Sequence, residues 1–441
     1  MKKSLLLLIF VGFVFGLTTV DSGEARRISE NYASTLGPDI QVEAVRQLDG
    51  EGTVLAYVCE LEPQGFVVVP GFREVAPVLA YSLDGDFSFD TGTDNILLDM
   101  VRDDMILRIE GVSVTAPQVI SENALLWNVY LDRDALHREL ETMSTYGPLT
   151  DTEWSQSSPY YNSCPVDPNT GTHCVTGCVG TALAQMINYW AYPPSIAFRT
   201  WDSYTSRCDP DDGHGERIIE IDAPAASMTD INYNGSGVHP TTETMADLLY
   251  AAGVSVEMKY SSEGSSAYTA NCATALRNRW GYDDADVFSD VNTTFYNTLQ
   301  ENLRHGKPAL FAIFRAEYSV GHAVICDGWR DTDNMYHVNY GWGGYYCGPS
   351  YWYSLTTGLP SEFIILHQAI MNITPPPSEC ESDAPDNCSE AIELTITSTE
   401  QVRNDKIDSD DDEDWFLLNL QSGVEYTFYT TGPTDTYAEL N

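Results

Sequence analysis

His173-Cys174-Val175-Thr176-Gly177-Cys178-Val179-Gly180-Thr181-Ala182-Leu183-Ala184-Gln185-Met186-Ile187-Asn188-Tyr189-Trp190 is the stretch on which the rest of the chain turns. It opens as a loop and closes as a helix. Thr176 and Gly177 suit a helix entry. From Val179 onward Leu183, Met186, Ile187 and Trp190 recur at helical spacing, and Pro193-Pro194 stops the helix. Cys178 then falls at the first turn. Unpaired backbone N–H groups and the positive end of the helix dipole favour a thiolate there. Gly177, Gly180 and Ala182 leave room for another molecule to approach. Taken alone, the stretch also fits a buried or disulfide-bonded cysteine.

Outward from this stretch, the chain of 441 residues is long enough for two or three domains. Met1-Lys2-Lys3 followed by the apolar run Leu5 to Leu17 reads as a secretory signal peptide, assigned to residues 1–22. That run is too short for a comfortable membrane span, and no later stretch is apolar enough for one, so none is expected after signal removal. The net charge of −43, with only 22 basic residues, argues against nucleic acid as a partner. Such acidity keeps a secreted protein dispersed by self-repulsion. Export permits disulfides, and there are ten cysteines. With Cys178 free, Cys380 and Cys388 are expected to pair. Cys59 lies in an upstream segment that can be removed. Cys164, Cys174, Cys208, Cys272, Cys326 and Cys347 form an even set of open connectivity.

Residues 23–147 read as a packed α+β unit without reactive clusters. Val54–Val58, Gly65–Pro70 and Pro77–Ser82 suit strands, and Asn95–Gly111 and Ala124–Met143 suit helices. Residues 148–374 form the main domain. Trp154 to Tyr160 is a loop with an aromatic anchor and the amide of Gln156. Asp202–Asp222 reads as a polar surface loop. Helices are expected at Thr242–Ala252, Thr269–Trp280 and Thr294–His305, each ended by a glycine, before a buried strand at Lys307–Phe314. Gly321-His322-Ala323-Val324-Ile325-Cys326-Asp327-Gly328-Trp329 and Met335-Tyr336-His337-Val338-Asn339-Tyr340-Gly341-Trp342-Gly343-Gly344 flank a polar turn as a hairpin. Folding that hairpin lays His322 beside Tyr340-Gly341-Trp342. Residues 375–379 are a proline linker. Residues 380–441 read as a partial β-sandwich with strands at Trp415–Leu418 and Tyr426–Tyr429.

A thiol at a helix start and a histidine heading a distant strand suit nucleophilic acyl chemistry. The histidine takes the thiol proton and later returns it to the leaving group. The Cys178 N–H and the Gln156 amide are candidate oxyanion donors, and an indole such as Trp342 would keep water from the imidazole. His173, Cys174 and Cys178 are also a possible zinc set. No second pair at ligand spacing follows, so no metal and no cofactor are expected.

These motifs resemble the streptopain family, secreted bacterial cysteine proteases with a papain-like α+β fold. The resemblance rests on Thr176 to Ala182, Ala191-Tyr192-Pro193, Gly321 to Gly328, Tyr336 to Gly344 and Gln156-Ser157-Ser158-Pro159-Tyr160, which come in family order. It implies a secreted endopeptidase acting on proteins or peptides. Cys178 would be the nucleophile, His322 the base and acid, Gln156 the oxyanion donor and Trp342 the shield. Papain has an asparagine two residues before that tryptophan, and this chain has Tyr340. His322 would then be oriented by main chain or by the Tyr340 hydroxyl, with Asn339 facing the other way. Tyr57-Val58 with Pro63 to Val69 resembles the family's inhibitory propeptide, and the tail resembles a pre-peptidase C-terminal module. Transglutaminase-like acyl transfer by the same dyad, and a non-catalytic inhibitor built on the propeptide fold, are the competing readings.

Overall fold

A computed structural model describes residues 17–50, 52–83, 85–90, 96–112, 115, 117–209, 213–224, 242–314, 321–343, 350–355, 365–376, 392–394 and 416–418. The chain divides into a unit Met1–Pro375 and a unit Pro376–Asn441. In the second, β14 (Ile392–Leu394) and β15 (Phe416–Leu418) pair in parallel. The expected Cys380–Cys388 pair and the strand at Tyr426–Tyr429 lie outside the described residues.

One eleven-stranded sheet runs through the first unit. It starts with β1 (Gln41–Gly50), β2 (Thr53–Glu62), β3 (Phe66–Pro70) and β4 (Ala80–Ser82). It continues through β12 (Ser350–Ser354), β11 (Met335–Asn339), β10 (Gly321–Arg330), β9 (Ala309–Phe314), β13 (Leu366–Thr374) and β8 (Asp284–Phe288), and the eleventh strand, β5 (Thr145–Tyr146), pairs with β10 off this path. The N-terminal region and the main domain therefore share one sheet, joined where Tyr81 meets Trp352 and Ala80 meets Tyr353. Side-chain alternation sends neighbours such as Leu310 and Phe311 to opposite faces, where each joins a different buried cluster. On one face lie α2 (Ile96–Val112) and α8 (Thr293–Arg304). On the other, α1 (Ser22–Leu36), α3 (Pro117–Leu131) and α4 (Arg133–Leu140) cover the N-terminal strands. There α5 (Cys178–Trp190), α6 (Thr242–Ser255) and α7 (Asn271–Asn278) cover β9, β10 and β13.

Several expectations change. The helix expected over Ala124–Met143 is two helices, because Asp132 turns extended and caps α4 through the Ala135 N–H. Gly253 does not end α6. It lies inside the helix, where an added Cβ would come 2.2 Å from the Tyr260 hydroxyl. The polar loop expected at Asp202–Asp222 contains a hairpin of β6 (Tyr204–Cys208) and β7 (Arg217–Ile221), whose inward residues alternate with outward ones. Residues before Ser22, assigned to the signal, are partly built into the fold. Val20 is buried and bonds the Gly71 carbonyl, and Asp21 caps α1. The described members of the even cysteine set, and Cys59, all carry free thiols. Cys272 and Cys326 are fully buried among apolar side chains, which favour the uncharged thiol. Cys347 lies outside the described residues.

Candidate active site

α5 starts where the sequence predicts, and the reason is Gly177. Its φ of 75° is a left-handed value, and a Cβ there would come 2.8 Å from the Ser265 carbonyl oxygen. Val175 N–H bonds Ser261 O and Thr176 N–H bonds Gln156 O. The Thr181 hydroxyl, on the first turn of α5, donates to Gly177 O and contacts the Thr176 hydroxyl. These bonds bring the Gln156 loop to within two residues of Cys178 along the chain. Trp154 is buried and anchors that loop.

Cys178 is partly open to solvent, and its sulfur faces the backbone N–H groups of Ala323, Val179 and Cys178 itself. Loss of hydration raises the thiol pKa above its ordinary value, and those three N–H groups oppose the rise. Ala323 directly follows His322, so β10 brings the imidazole to the head of α5. His322 is the second residue of β10, paired with Ile313 of β9, and is 6% exposed.

Its Nε2 lies 3.1 Å from the carbonyl oxygen of Tyr340. A carbonyl only accepts, so Nε2 carries the hydrogen. Nδ1 then holds a lone pair, and among the described residues it has no hydrogen-bond partner. Burial lowers the imidazole pKa to about 4, with the Tyr340 carbonyl opposing the shift. Trp342 lies against the ring at 4.7 Å between centroids, and Tyr340 stacks on it at 5.8 Å. No hydrogen bond joins Cys178 to His322 among the described residues. Both shifts favour the uncharged form of the group.

Of the two orienting groups expected for His322, the structure has the main chain. The Tyr340 hydroxyl points away, to Met100 of α2 and to Tyr351. The N-terminal region thereby reaches the back of the residue that holds the imidazole. Asn339 turns from His322, as strand alternation predicts. Its amide donates to Thr152 O at 2.7 Å and reaches Gln185 on α5, while its oxygen accepts Gly341 N–H. The possible zinc set is engaged otherwise. His173 Nδ1 bonds Cys164 O, and Cys174 is fully buried.

Sequence reasoning missed one group on β10. Asp327 accepts from His337 Nδ1 at 2.6 Å, from Thr150 N–H at 2.8 Å and from the Thr150 hydroxyl at 2.6 Å. A histidine and an aspartate in alternating strands gave the only available hint.

The chain is a cysteine protease in precursor form, with the N-terminal region still docked on the sheet of the main domain. Residues 154–352 match the Peptidase C10 family, and residues 18–103 match the Spi protease inhibitor. The chain is a streptopain-like cysteine protease that carries its own propeptide, made as a zymogen. Streptopain of Streptococcus pyogenes is 25% identical over 311 residues, which cover 65% of this chain and 71% of that one. The thiol protease/hemagglutinin PrtT of Porphyromonas gingivalis is 23% identical over 398 residues, 83% of this chain and 43% of that one. Among solved structures, a prointerpain A fragment of Prevotella intermedia has the same fold. Its TM-score is 0.53 at 22% identity, covering 75% of this chain and 98% of that one.

Proposed function

We propose that Cys178 is the nucleophile of this endopeptidase and His322 its base and acid. The observation that carries this is the Ala323 amide on the Cys178 sulfur, beside an imidazole whose Nδ1 keeps its lone pair. In the active enzyme Nδ1 takes the thiol proton, and the thiolate attacks the carbonyl carbon of the scissile peptide. The Cys178 N–H and the Gln156 side-chain amide receive the negative charge on the carbonyl oxygen. The intermediate collapses to a thioester while His322 gives its proton to the departing amine. Water, deprotonated by the same imidazole, then frees the acid. The Tyr340 carbonyl keeps the ring's other nitrogen protonated, Trp342 covers its face, and Asn339 holds the 339–341 turn on α5.

In this reading the precursor is latent because no hydrogen bond joins Cys178 to His322 among the described residues, so the thiol proton has no direct path to the imidazole. Residues 1–22 are proposed to contain an export signal, with the junction before the ordered Thr18. The mature protease acts on proteins and peptides outside a bacterial cell. Among the described residues no helix is long and apolar enough to cross a membrane. A thiol-reactive peptide electrophile tests the assignment. It should label the matured enzyme once, at Cys178, and label neither Cys178→Ser nor the intact precursor. Labelling at another cysteine sinks it. Gln156→Ala should lower kcat by about ten- to a thousand-fold with little change in KM.

A further inference from the structure

The segment that joins the propeptide to the protease is held very unevenly. The sequence puts the boundary at 147/148, and Ser144-Thr145-Tyr146-Gly147-Pro148 by itself reads as a turn. The structure has a strand there instead: β5 (Thr145–Tyr146) pairs with Trp329 and Arg330 of β10. Ser144 N–H bonds the Asp331 carboxylate at 2.9 Å, and Asp331 N–H returns to Ser144 O at 3.1 Å. The Tyr146 ring stacks on Trp329 at 5.5 Å, with the Arg304 guanidinium over both rings. Gly147 takes a φ of 87°, and a Cβ there would come 2.2 Å from Asp327 O. Leu149 N–H bonds that same oxygen, and Thr150 gives both its donors to the Asp327 side chain.

Directly upstream the picture reverses. α4 ends at Leu140. Among the described residues, the backbone of the next three makes only local bonds, Glu141 N–H to Arg138 O at 3.4 Å and Met143 N–H to Leu140 O at 3.2 Å. Glu141 and Thr142 are exposed. An open cleft of about 440 Å³ lies against them, lined by Thr35, His137, Arg138, Leu140, Glu141 and Met143. Among the described residues, one side-chain hydrogen bond ties this turn to the protease, from Arg330 Nε to Met143 Sδ. A protease needs several residues of extended, unpaired backbone, so it cuts where opening costs least.

We propose that the maturation cut falls at one of the three peptide bonds between Glu141 and Ser144. The strand that begins at Ser144 stays with the protease as a strap. This rests on the Cys178–His322 reading for the enzyme that makes the cut. Hydrolysis adds water across that bond. The oxygen goes to the new carboxylate of the propeptide, and the amine leaves as the ammonium of the new N-terminus. That ammonium lies within two residues of the Asp331 carboxylate, which already holds Ser144 N–H.

Purified precursor, followed by intact mass and N-terminal sequencing as activity appears, gives the first test. The active product should begin at Thr142, Met143 or Ser144. A product that begins before Thr142, or anywhere after Ser144, overturns the proposal and leaves zymogen maturation standing. A precursor fully active without shortening overturns both. The strap is tested separately in the Cys178→Ala precursor, with a foreign protease site in place of 141–143 and a second one after Thr150. Cutting the first site should leave the melting midpoint within about 1 °C, whereas cutting both should lower it by at least about 5 °C. Equal midpoints would show that residues 144–150 are no strap.

Discussion

Two histidines lie buried on adjoining strands of one sheet, His322 at 6% exposure and His337 at 4%. His322 donates to a main-chain carbonyl and keeps a lone pair on its other nitrogen. His337 has a carboxylate, Asp327, which also holds Thr150. A carbonyl orients an imidazole without supplying a charge to fix its proton, so the ring stays available for transfer. A carboxylate that accepts from a ring and from a distant loop makes a tie. Burial is the same in both; the partner separates the ring left open to proton transfer from the ring used as a tie.

The sharpest way to break the comparison is to remove each ring in turn. His322→Ala should cost about a thousand- to ten-thousand-fold in kcat/KM on a peptide substrate, with the fold intact. A His337→Ala enzyme that loses as much, while still folded, would erase the distinction. Asp327→Ala comes next in size. It leaves a buried imidazole and both Thr150 donors unpaired, so urea unfolding of the Cys178→Ala precursor should show a loss of about 3–5 kcal/mol. A loss below about 1 kcal/mol would mean that the tie contributes nothing.

Acid should sharpen the contrast. His322 titrates near 4 in the fold against an ordinary 6.5. Between those values the unfolded chain binds a proton that the folded chain refuses. Stability is therefore full above pH 6.5 and declines as pH falls toward 4, by about 3 kcal/mol for this group. The difference in unfolding free energy between wild type and His322→Gln, taken at pH 7 and pH 4, isolates it. Asp333, which burial raises, acts with the opposite sign and cancels in that difference. A difference independent of pH would show that the ring titrates normally. The smallest effect belongs to Tyr340→Phe. Its hydroxyl serves Met100 and Tyr351 rather than His322, so kcat/KM should stay within about threefold and stability fall by about 1 kcal/mol. A tenfold loss of activity at unchanged stability would put the hydroxyl on the imidazole.

Helix α5 and the hairpin of His322 were legible because their signals are local. Leu183, Met186 and Ile187 recur at helical spacing, and two alternating runs flank Asp331 to Asn334. The partner of His322 was not legible in the same way. It is a main-chain carbonyl, which every residue has, so only the path of the chain past Tyr340 selects it. β5 is two residues long, and its partners Trp329 and Arg330 lie far along the sequence; nothing in Thr145-Tyr146 announces them. The β6–β7 hairpin was hidden by the polar and glycine residues between its strands. Asp132 cut an apolar periodicity that looked continuous. The motifs single out Cys178 and His322 as candidates, but how completely the fold dries each group could not be read from them, because that depends on the packing around it.

The sheet that crosses from propeptide to protease has a consequence for the life of the enzyme after maturation. While β4 is in place, β12 is an interior strand, and its sequence Ser350-Tyr351-Trp352-Tyr353-Ser354 suits that setting, aromatic and without a charge. Departure of the propeptide removes its β4 pairing, and an unpaired strand edge is the surface on which separate molecules stack into aggregates. Activation thus trades latency for stickiness. The acidic side chains that remain on the protease, among them Asp283, Asp284, Asp286 and the run Asp408 to Asp414, supply the colloidal repulsion that keeps such rims apart.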